Sequence, residues 1–325
     1  MPRITYQGRI HQAHPGQTVL EVLLQGGERI AHSCRAGACG ACVVRATHGE
    51  VPAQAQVGLR DAWRERGYFL ACRAEAGGDL TVEPVGDGAR VAAHIEDRAA
   101  LSPSVALLRV RLRGELPATA GQYVTLLRHQ VARSYSIAAI PEPTLLELHV
   151  RRVPGGKLSP YLCDEAQPGD ELLVQGPMGH CVYVAGRPDD TLLLAGTGTG
   201  LAPLWGVMHD ALAAGHRGAL HLFHGALTPA DLYFVQQARA LAAAHPQLHY
   251  VPCALRAGAD ADPDGVELGP LDEVIARHLP STVGVRAFLC GAPDVVLLLK
   301  KKLYLAGTSL RDIAADAFVP AAAGE

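Results

Sequence analysis

Short apolar runs separated by turn residues divide the chain into three segments of different texture. In residues 1–88, the runs RITYQG, TVLEVLLQGG and DLTVEPV predict strands and one short helix around a loop rich in cysteine. The glycine-containing stretch EPVGDGAR, residues 83–90, predicts a linker to the next segment. The first segment is therefore expected to be a small unit that mixes strands with a helix.

Residues 89–186 alternate between apolar and polar positions over short distances. ALLRVRLR, QYVTLLR, LLELHVRRV and ELLVQG are examples of such runs, and PEPT, VPGGK and QPGD are turn signals between them. Many short strands at close intervals predict an antiparallel barrel or a sandwich.

From residue 187 the pattern changes to a short apolar strand followed by a helix, several times over. TLLLAG, ALHLFHG, LHYVPCAL and RAFLCG predict buried strands, and runs such as PLWGVMHDALAAG and PDVVLLLKKKLYLAG predict the helices. Two helices are expected to end at Gly215 and Gly307, because glycine favours a helix C-cap. The alternation predicts a parallel sheet with helices on both faces, so the chain as a whole is expected to combine α+β and α/β domains.

Length and composition indicate an ordered protein of several domains. The chain has 325 residues, more than one typical core holds, and 49% of them are apolar. A net charge of −3 gives no bulk field that favours nucleic acid or anionic lipid, so neither is expected as a partner.

The N-terminal stretch MPRITYQGRIHQ lacks the apolar run of a secretory signal. The uncharged residues 191–208 contain glycine and proline, which favour a strand, a loop and a helix start over a membrane span. A cytoplasmic location is therefore expected.

Four of the eight cysteines follow a recognisable spacing. Cys34, Cys39, Cys42 and Cys72 form the pattern C-x4-C-x2-C-x29-C, in which one loop supplies three sulfurs and a distant strand end supplies the fourth. This division suits a flat two-iron cluster of the plant type, whereas structural zinc usually takes two separated C-x2-C pairs. A zinc site remains the main alternative, and a Cys39–Cys42 thiol pair is a further one.

The first segment resembles plant-type ferredoxins through TVLEVLLQGG, SCRAGACGAC and LACRAEAGGDLTV. The resemblance implies a β-grasp-like domain in which Cys34, Cys39, Cys42 and Cys72 bind a 2Fe–2S cluster. Glycine between these cysteines has no side chain to stop the backbone from folding over the cluster and directing N–H groups at its sulfurs.

The stretch RSYS at residues 133–136 carries side chains that suit a flavin nucleotide. Arg133 can pair with a phosphate, Tyr135 lies on the same strand face and can stack on a flat ring, and Ser136 can bond the ring edge. An exposed strand with an ordinary tyrosine would carry the same four residues. The glycine turn before Ser159 predicts a helix start, whose free N–H groups would receive a second phosphate oxygen.

The ordered set GQYV, RSYS, LHVRR, GGKLS and GPMG closely resembles the flavin domain of the ferredoxin–NADP reductase superfamily. That resemblance implies an antiparallel barrel that binds FAD, with Arg133 on the pyrophosphate, Tyr135 against the isoalloxazine and Ser136 near its reactive nitrogen. The further FAD-binding residues that it implies are Ser134, His149, Val150, Arg151, Gly156, Lys157, Leu158 and Ser159.

The third segment opens with LLLAGTGTGLAPLWG, a glycine loop between a strand and a helix that can receive a pyrophosphate. Leu201 replaces the last glycine of G-x-G-x-x-G, and the second strand has no terminal acid for a ribose, so an ordinary Rossmann dehydrogenase is disfavoured. GTGTGLAP, DLYF and CGAP instead resemble the nucleotide domain of the same reductase superfamily. The nucleotide-binding residues that this resemblance implies are Gly196, Thr197, Gly198, Gly200, Asp231, Cys290 and Gly291.

Two more assignments follow from the superfamily resemblance. Cys290 is placed beside the hydride path, with a small buried core residue as the alternative, and Phe318 in ADAFVP is placed against the flavin. Relatives more often carry arginine where this chain has Leu227, so the loop offers no cation to a 2′-phosphate. We therefore expect NADH in preference to NADPH.

The order of the three segments is similar to that of reductase components of bacterial multicomponent oxygenases. The expected domains are a ferredoxin domain at 1–88, an FAD domain at 89–186 and an NAD(P)H domain at 187–325. Flavin exchanges electrons in pairs or singly, so the resemblance implies a route from NADH through FAD and 2Fe–2S to a separate oxygenase, with Ser136, Cys290 and Tyr135 as catalytic residues. A deoxysugar dehydrase or a haem monooxygenase as acceptor is an alternative, and a non-catalytic redox sensor or scaffold is another.

Overall fold

The computed structural model of the chain describes residues 1–86, 90–129, 131–258 and 265–321. These residues form three units, each built on its own sheet. The predicted boundary between residues 88 and 89 lies outside the described residues. The predicted boundary between residues 186 and 187 falls in the connection between the second sheet and the third.

The first unit is a five-stranded mixed sheet with two short helices packed against it. Its elements are β1 (Arg3–Tyr6), β2 (Arg9–Gln12), α1 (Val19–Gln25), β3 (Val43–His48), α2 (Asp61–Arg64), β4 (Tyr68–Leu70) and β5 (Leu80–Glu83). The strand order is β2-β1-β5-β3-β4, and β1 runs parallel to β5. Helix α1 begins after Thr18, whose side chain and that of Glu21 form a capping box, and its apolar face is buried. The predicted β-grasp-like unit is confirmed.

The second unit is a closed six-stranded barrel. Its strands are β6 (Arg90–Ser102), β7 (Val105–Leu112), β8 (Tyr123–Arg128), β9 (Val131–Glu142), β10 (Leu145–Arg151) and β11 (Glu171–Met178), in the order β10-β7-β6-β11-β8-β9. Alternate residues of each strand point inward, so that Leu108, Val110, Leu126 and Leu148 are fully or almost fully buried. Of the two architectures predicted from the alternation, the structure has the barrel.

The third unit is a parallel sheet with helices on both faces, as predicted. Its strands are β12 (Leu192–Thr197), β13 (Leu220–Ala226), β14 (Leu248–Ala254), β15 (Glu267–Leu268), β16 (Arg286–Gly291) and β17 (Ile313–Ala317). Its helices are α3 (Leu201–Ala213), α4 (Val235–Ala244), α5 (Leu271–His278) and α6 (Pro293–Leu305). The order β15-β14-β13-β12-β16-β17 reverses direction at β12, which is where ligands bind in sheets of this kind. The two edge strands, β15 and β17, were not predicted.

Both predicted helix ends are confirmed. After α3, Gly215 has φ +73°, and the next amide, that of His216, donates to the Ala211 carbonyl at 3.0 Å. After α6, Gly307 has φ +100°, and Thr308 N–H donates to Leu303 at 2.9 Å. Glycine at this position relieves the strain of a left-handed residue. In the part of the chain that the structure describes, no helix has the length and apolar character to cross a membrane.

Candidate functional site

All three units contribute to the wall of one cavity of about 1120 Å³. Cys39 of the cysteine loop, Tyr135 of β9, Thr197 at the end of β12 and Phe318 after β17 line it. The segments that the sequence assigned to three different cofactors therefore face a common space.

Most of the residues predicted to bind a flavin line this cavity. They are Arg133, Ser134, Tyr135, Ser136, His149, Arg151, Gly156, Lys157, Leu158 and Ser159. The RSYS stretch lies on β9, which pairs with β8 in the register that sets Ser134 opposite Thr125. Strand pairing in the barrel thus carries these side chains to the cavity.

Val150 is an exception among the predicted flavin-binding residues. Its side chain is fully buried in the barrel core together with Leu146 and Leu148, the other inward positions of β10. Because side chains alternate along a strand, His149 and Arg151 face the cavity and Val150 cannot. A role of Val150 in the nucleotide site stays a prediction, and its backbone rather than its side chain would make the contact.

The GGKLS turn brings bare backbone to the cavity wall. A helical turn begins at Ser159, as predicted, and the Ser159 hydroxyl accepts a hydrogen bond from Val153 N–H at 3.1 Å. A Cβ atom at Gly156 would lie 2.9 Å from the Ser159 oxygen and from the Val153 carbonyl, so a side chain there does not fit. A glycine turn that leads into a helix start suits a phosphate group.

A buried histidine and tyrosine join the barrel to the third unit. His149 Nδ1 lies 2.9 Å from the Tyr233 hydroxyl, and both residues line the cavity. Burial lowers the pKa of His149 to about 4, so the ring is neutral near pH 7 and holds the tyrosine through a neutral hydrogen bond. Tyr233 lies within the DLYF stretch, but sequence reasoning did not single it out.

Two loops at the carboxyl ends of β12 and β16 meet backbone to backbone. The Thr197 hydroxyl accepts from Ala292 N–H at 3.0 Å, and a Cβ atom at Gly196 would lie 3.0 Å from the Cys290 carbonyl. Gly291 has φ +123°, and a Cβ atom there would collide with Thr197. Thr197 and Gly198 line the cavity, whereas Gly196, Gly200 and Gly291 lie behind them and permit the close approach.

The Cys290 side chain lies behind the cavity wall. It is buried, its sulfur is 3.3 Å from that of Cys181, and burial raises the pKa of the thiol well above its ordinary value. The structure therefore fits the alternative given for Cys290, namely that it is a small buried residue of the core. A catalytic contact of Cys290 stays a prediction.

Asp316 is a cavity residue that sequence reasoning missed. It lies on the unpredicted strand β17, lines the cavity, and has a pKa that burial raises to about 6. Two residues on, Phe318 also lines the cavity, and its N–H donates to the Gly291 carbonyl at 2.8 Å. Asp316 belongs to the stretch ADAFVP, but its side chain could be assigned to the cavity only once β17 was recognised as a strand.

Asp231 and Leu227 lie on the turns after β13. The Asp231 carboxylate accepts from Thr228 N–H at 3.0 Å and from the Thr228 hydroxyl at 2.8 Å, so it closes the turn, and it also lines the cavity. Leu227 lines the same cavity and is half exposed.

The four sulfurs of the cysteine pattern interact in two pairs, Cys34 with Cys39 and Cys42 with Cys72. The Cys39 thiol, and with it the N–H groups of the loop, lowers the pKa of Cys34 to about 5, and the Cys42 thiol lowers that of Cys72. The amides of Ala36 and Cys39 each lie 3.3 Å from the Cys34 sulfur. In each pair the interaction favours negative charge on one sulfur, Cys34 or Cys72, and raises the pKa of its partner, Cys39 or Cys42. Negative sulfur is the form in which cysteine binds iron.

The geometry of the loop fits a binuclear centre. Among the described residues, no three Cys, His, Asp or Glu side chains converge so as to hold one metal ion. Two sulfur pairs instead match two neighbouring irons that each take two thiolates. Gly37 and Gly40 have φ +82° and +67°, and a Cβ atom at Gly40 would collide with Met178 of the barrel.

Three protein families match successive parts of the chain. Residues 4–77 match the 2Fe-2S iron-sulfur cluster binding domain, residues 92–183 the oxidoreductase FAD-binding domain, and residues 194–300 the oxidoreductase NAD-binding domain. The 2Fe–2S cluster, FAD and a nicotinamide nucleotide are thus the cofactors of this chain, and the zinc alternative is set aside.

Similar proteins of established function match almost end to end. The reductase component of the naphthalene 1,2-dioxygenase system of Pseudomonas putida, named as a ferredoxin–NAD(P)+ reductase, is 33% identical and covers 96% of both chains. The reductase subunit of an aromatic O-demethylase from Amycolatopsis is 34% identical, with 98% of both chains covered. The reductase component of phenol 2-monooxygenase from a Pseudomonas species is 30% identical over 98% of this chain and 94% of the relative.

Solved structures show the same three-part architecture. A cytochrome P450 reductase from Amycolatopsis superposes with a TM-score of 0.70 at 31% identity, over 98% of this chain and 99% of the other. A ferredoxin reductase in carbazole 1,9a-dioxygenase superposes with a TM-score of 0.67 at 22% identity, over 98% of both chains.

Proposed function

From the premise that the chain belongs to the family of iron–sulfur flavoprotein reductase components of oxygenase systems, we propose the role of each part of its site. The chain is an oxidoreductase that takes electrons from a nicotinamide nucleotide and passes them to a separate oxygenase component. The observation that carries the residue-level proposal is the single cavity that reaches from Cys39 past Tyr135 to Thr197. When bound, FAD supplies the exchange between paired and single electrons.

We assign Cys34, Cys39, Cys42 and Cys72 as the ligands of the cluster. The two sulfur pairs, the lowered pKa of Cys34 and the loop amides near its sulfur support the assignment. Hydrogen bonds from backbone N–H groups stabilise negative charge on the sulfurs.

On the barrel side, Arg133, Lys157 and the Ser159 turn are proposed to hold the FAD pyrophosphate, and Tyr135 to cover the isoalloxazine. All of them line the cavity, and two are cations suited to phosphate. His149, neutral because of its burial, would bond uncharged atoms of the nucleotide or keep Tyr233 in place. Ser134 was also predicted as a flavin ligand, but its hydroxyl donates a hydrogen bond to the Cys39 carbonyl.

On the nucleotide side, Thr197 and Gly198 are proposed to receive the nicotinamide nucleotide, and Phe318 to stand against the flavin ring. Ser136 is 6% exposed and lines the cavity, so its hydroxyl is positioned to bond the reacting edge. Asp316, whose pKa is raised to about 6, can hold or release a proton at the same wall near neutral pH.

NADH is proposed as the donor in preference to NADPH. The half-exposed Leu227 lines the cavity where an arginine would offer a cation to a 2′-phosphate. A cytoplasmic location is proposed with it, because NADH and reduced cysteine thiolates are both characteristic of that compartment.

The acceptor proposed first is a non-haem iron oxygenase that hydroxylates aromatic compounds, as the names of the naphthalene and phenol relatives suggest. The cytochrome P450 reductase, at 31% identity over nearly the whole chain, favours a haem monooxygenase as the second candidate. The naphthalene relative is named as a ferredoxin–NAD(P)+ reductase, so a separate ferredoxin is a candidate for the immediate acceptor.

A Cys39→Ser variant tests the proposed route. With NADH, reduction of cytochrome c as a one-electron acceptor should be lost, while reduction of ferricyanide directly from the flavin persists. The control is Cys163→Ser, a buried barrel cysteine whose sulfur is 3.5 Å from the Val150 carbonyl and far from the loop in sequence.

Two outcomes would contradict the proposal. Full cytochrome c reduction by Cys39→Ser would mean that the cluster is not on the route. A wild-type protein that turns over neither acceptor would support the non-catalytic sensor or scaffold instead.

A further inference from the structure

The cysteine loop is held on the barrel by hydrogen bonds to three consecutive carbonyls. The Tyr123 hydroxyl donates to Ala38 at 2.8 Å, the Ser134 hydroxyl donates to Cys39 at 2.7 Å, and the Gln175 amide donates to Gly40 at 2.8 Å. We call these donors, together with Thr125, the docking quartet. They come from three barrel strands, β8, β9 and β11, that are neighbours in the barrel.

The Cys39 carbonyl is the centre of this contact. The Thr125 hydroxyl lies 3.0 Å from the Cys39 carbonyl and 3.0 Å from the Ser134 hydroxyl, which faces it across the β8–β9 pair. Thr125 and Gln175 are fully buried. Buried polar side chains need partners, so loss of the loop carbonyls would take the acceptor from the Gln175 amide nitrogen and from one of the two paired hydroxyls.

The docking quartet is itself held in position. Arg90 Nε donates to the Gln175 side-chain oxygen at 2.8 Å, which turns the amide nitrogen toward Gly40. Beside the polar contact, Ala41 packs with Leu127 and Ala132 in a small apolar cluster. The bonded atoms of the loop are all backbone atoms, so the contact fixes where the chain runs, independently of the loop side chains.

We propose that Tyr123, Thr125, Ser134 and Gln175 are positioning residues that keep the cysteine loop in one register on the barrel, with the Cys39 corner of the cluster toward the flavin cavity. This inference rests on the proposed function. Cys39 is the one cysteine of the pattern that lines the cavity among the described residues, and Ser134 lies between Arg133 and Tyr135 of the flavin motif. The docking quartet therefore fixes the spacing of the two redox groups.

If the cysteine loop can leave the barrel, the cluster accepts electrons from the flavin only in the fraction of molecules in which the loop is docked. Removal of one buried hydrogen bond shifts such an equilibrium by about fivefold. Thr125→Val removes one hydroxyl at almost constant shape, and Tyr123→Phe removes another at a different carbonyl. The matched control is Thr47→Val, because the Thr47 hydroxyl donates to Thr81 at 3.4 Å within the first unit.

The experiment uses the full-length holoprotein and two readouts. Amide hydrogen exchange of residues 36–42, followed by mass spectrometry, should be about fivefold faster in Thr125→Val and Tyr123→Phe and unchanged in Thr47→Val. In anaerobic stopped flow with NADH, the rate of cluster reduction relative to flavin reduction should fall in the first two variants only, by no more than the roughly fivefold change in the docking equilibrium, because the docked fraction cannot change by more than that.

Unchanged exchange and an unchanged ratio in both Thr125→Val and Tyr123→Phe would overturn the proposal. An equal fall of the ratio in Thr47→Val would also overturn it, since the effect would then not depend on the docking quartet. Failure of the proposed function would look different, because the wild-type cluster would then not be reduced by NADH at all.

Discussion

At the scale of single residues, the site is shaped by what burial does to titratable groups. His149 is kept neutral and Asp316 is brought to a pKa of about 6 by burial in the cavity wall. The site thus combines a neutral imidazole with a carboxyl that titrates near physiological pH.

Asp316→Asn should stabilise the protein most at neutral pH and less in mild acid. The folded-state pKa of about 6 is above the ordinary 3.8, so the stability contributed by the protonated carboxyl is present below pH 3.8 and is lost as pH rises through 6. Asparagine mimics the neutral acid. Because the side chain is partly exposed, we expect a gain of about 1 kcal/mol, below the roughly 3 kcal/mol that two pKa units represent.

The measurement is the Tm difference between Asp316→Asn and wild type at about pH 7.5 and about pH 5. The difference should be larger at the higher pH. An equal difference at both values would show that Asp316 is already ionised, or solvated, in the folded protein.

Leu227→Arg should move nucleotide preference toward NADPH. A guanidinium at this cavity position would meet a 2′-phosphate, and a charge-assisted hydrogen bond is worth about 1.5–3 kcal/mol, or roughly tenfold to a hundredfold in kcat/KM. The check is the ratio of kcat/KM for NADPH to that for NADH, with Val283→Arg, an exposed apolar site 74% accessible and outside the cavity wall, as control. If Leu227→Arg and Val283→Arg had the same ratio, the 2′-phosphate would bind away from position 227.

At the scale of elements, turns and loops bring the site together. The barrel and the parallel sheet are regular, and many of the residues that face the cavity lie near strand ends, such as Thr197 and Asp316, or in loops, such as Cys39 and Leu227. Glycine recurs where two backbones approach, as at Gly291 against Thr197.

Gly40→Ala should destabilise the protein more than Gly8→Ala. Both glycines have positive φ, +67° and +80°, so alanine costs about 1–2 kcal/mol of backbone strain at either site. A Cβ atom at Gly40 would also collide with Met178, whereas nothing lies within 4 Å of one at Gly8. The measurements are the Tm and the iron content of the two variants. An equal fall in Tm would mean that the Met178 side chain moves away from the new methyl group without loss of stability.

At the scale of the whole molecule, three units that fold around separate cores share one functional cavity. The electron path runs through the units in the reverse of their order along the chain, because the third unit receives the electrons and the first releases them. The barrel in the middle contacts both neighbours, through the docking quartet on one side and through His149 and Tyr233 on the other.

Anaerobic titration with NADH should consume about 1.5 equivalents per chain, since FAD takes two electrons and a 2Fe–2S cluster takes one. Loss of both the flavin and the cluster absorbance is the measurement. A titration that ends at about one equivalent with the cluster still oxidised would show that the cluster is not reached from the flavin.

Much of the fold could be predicted from the sequence because it depends on local pattern. Period-two alternation predicted the barrel strands, and strand–helix alternation predicted the parallel sheet. Glycine after α3 and α6 marked their ends. Strands β15 and β17 were missed since short edge strands, such as the two residues of β15, carry too little periodicity to stand out.

The sequence by itself determined which cofactors this protein takes, because the motifs that indicate them, such as the four-cysteine spacing, RSYS and GTGTG, are short and local. Only the tertiary structure decided how these motifs meet. It turned Val150 into the barrel core, brought Asp316 to the cavity, and joined Thr125 to Cys39 across 86 residues and Gln175 to Gly40 across 135. Such contacts depend on which strands become neighbours when the barrel closes, and no pattern within a single segment of the chain contains that information.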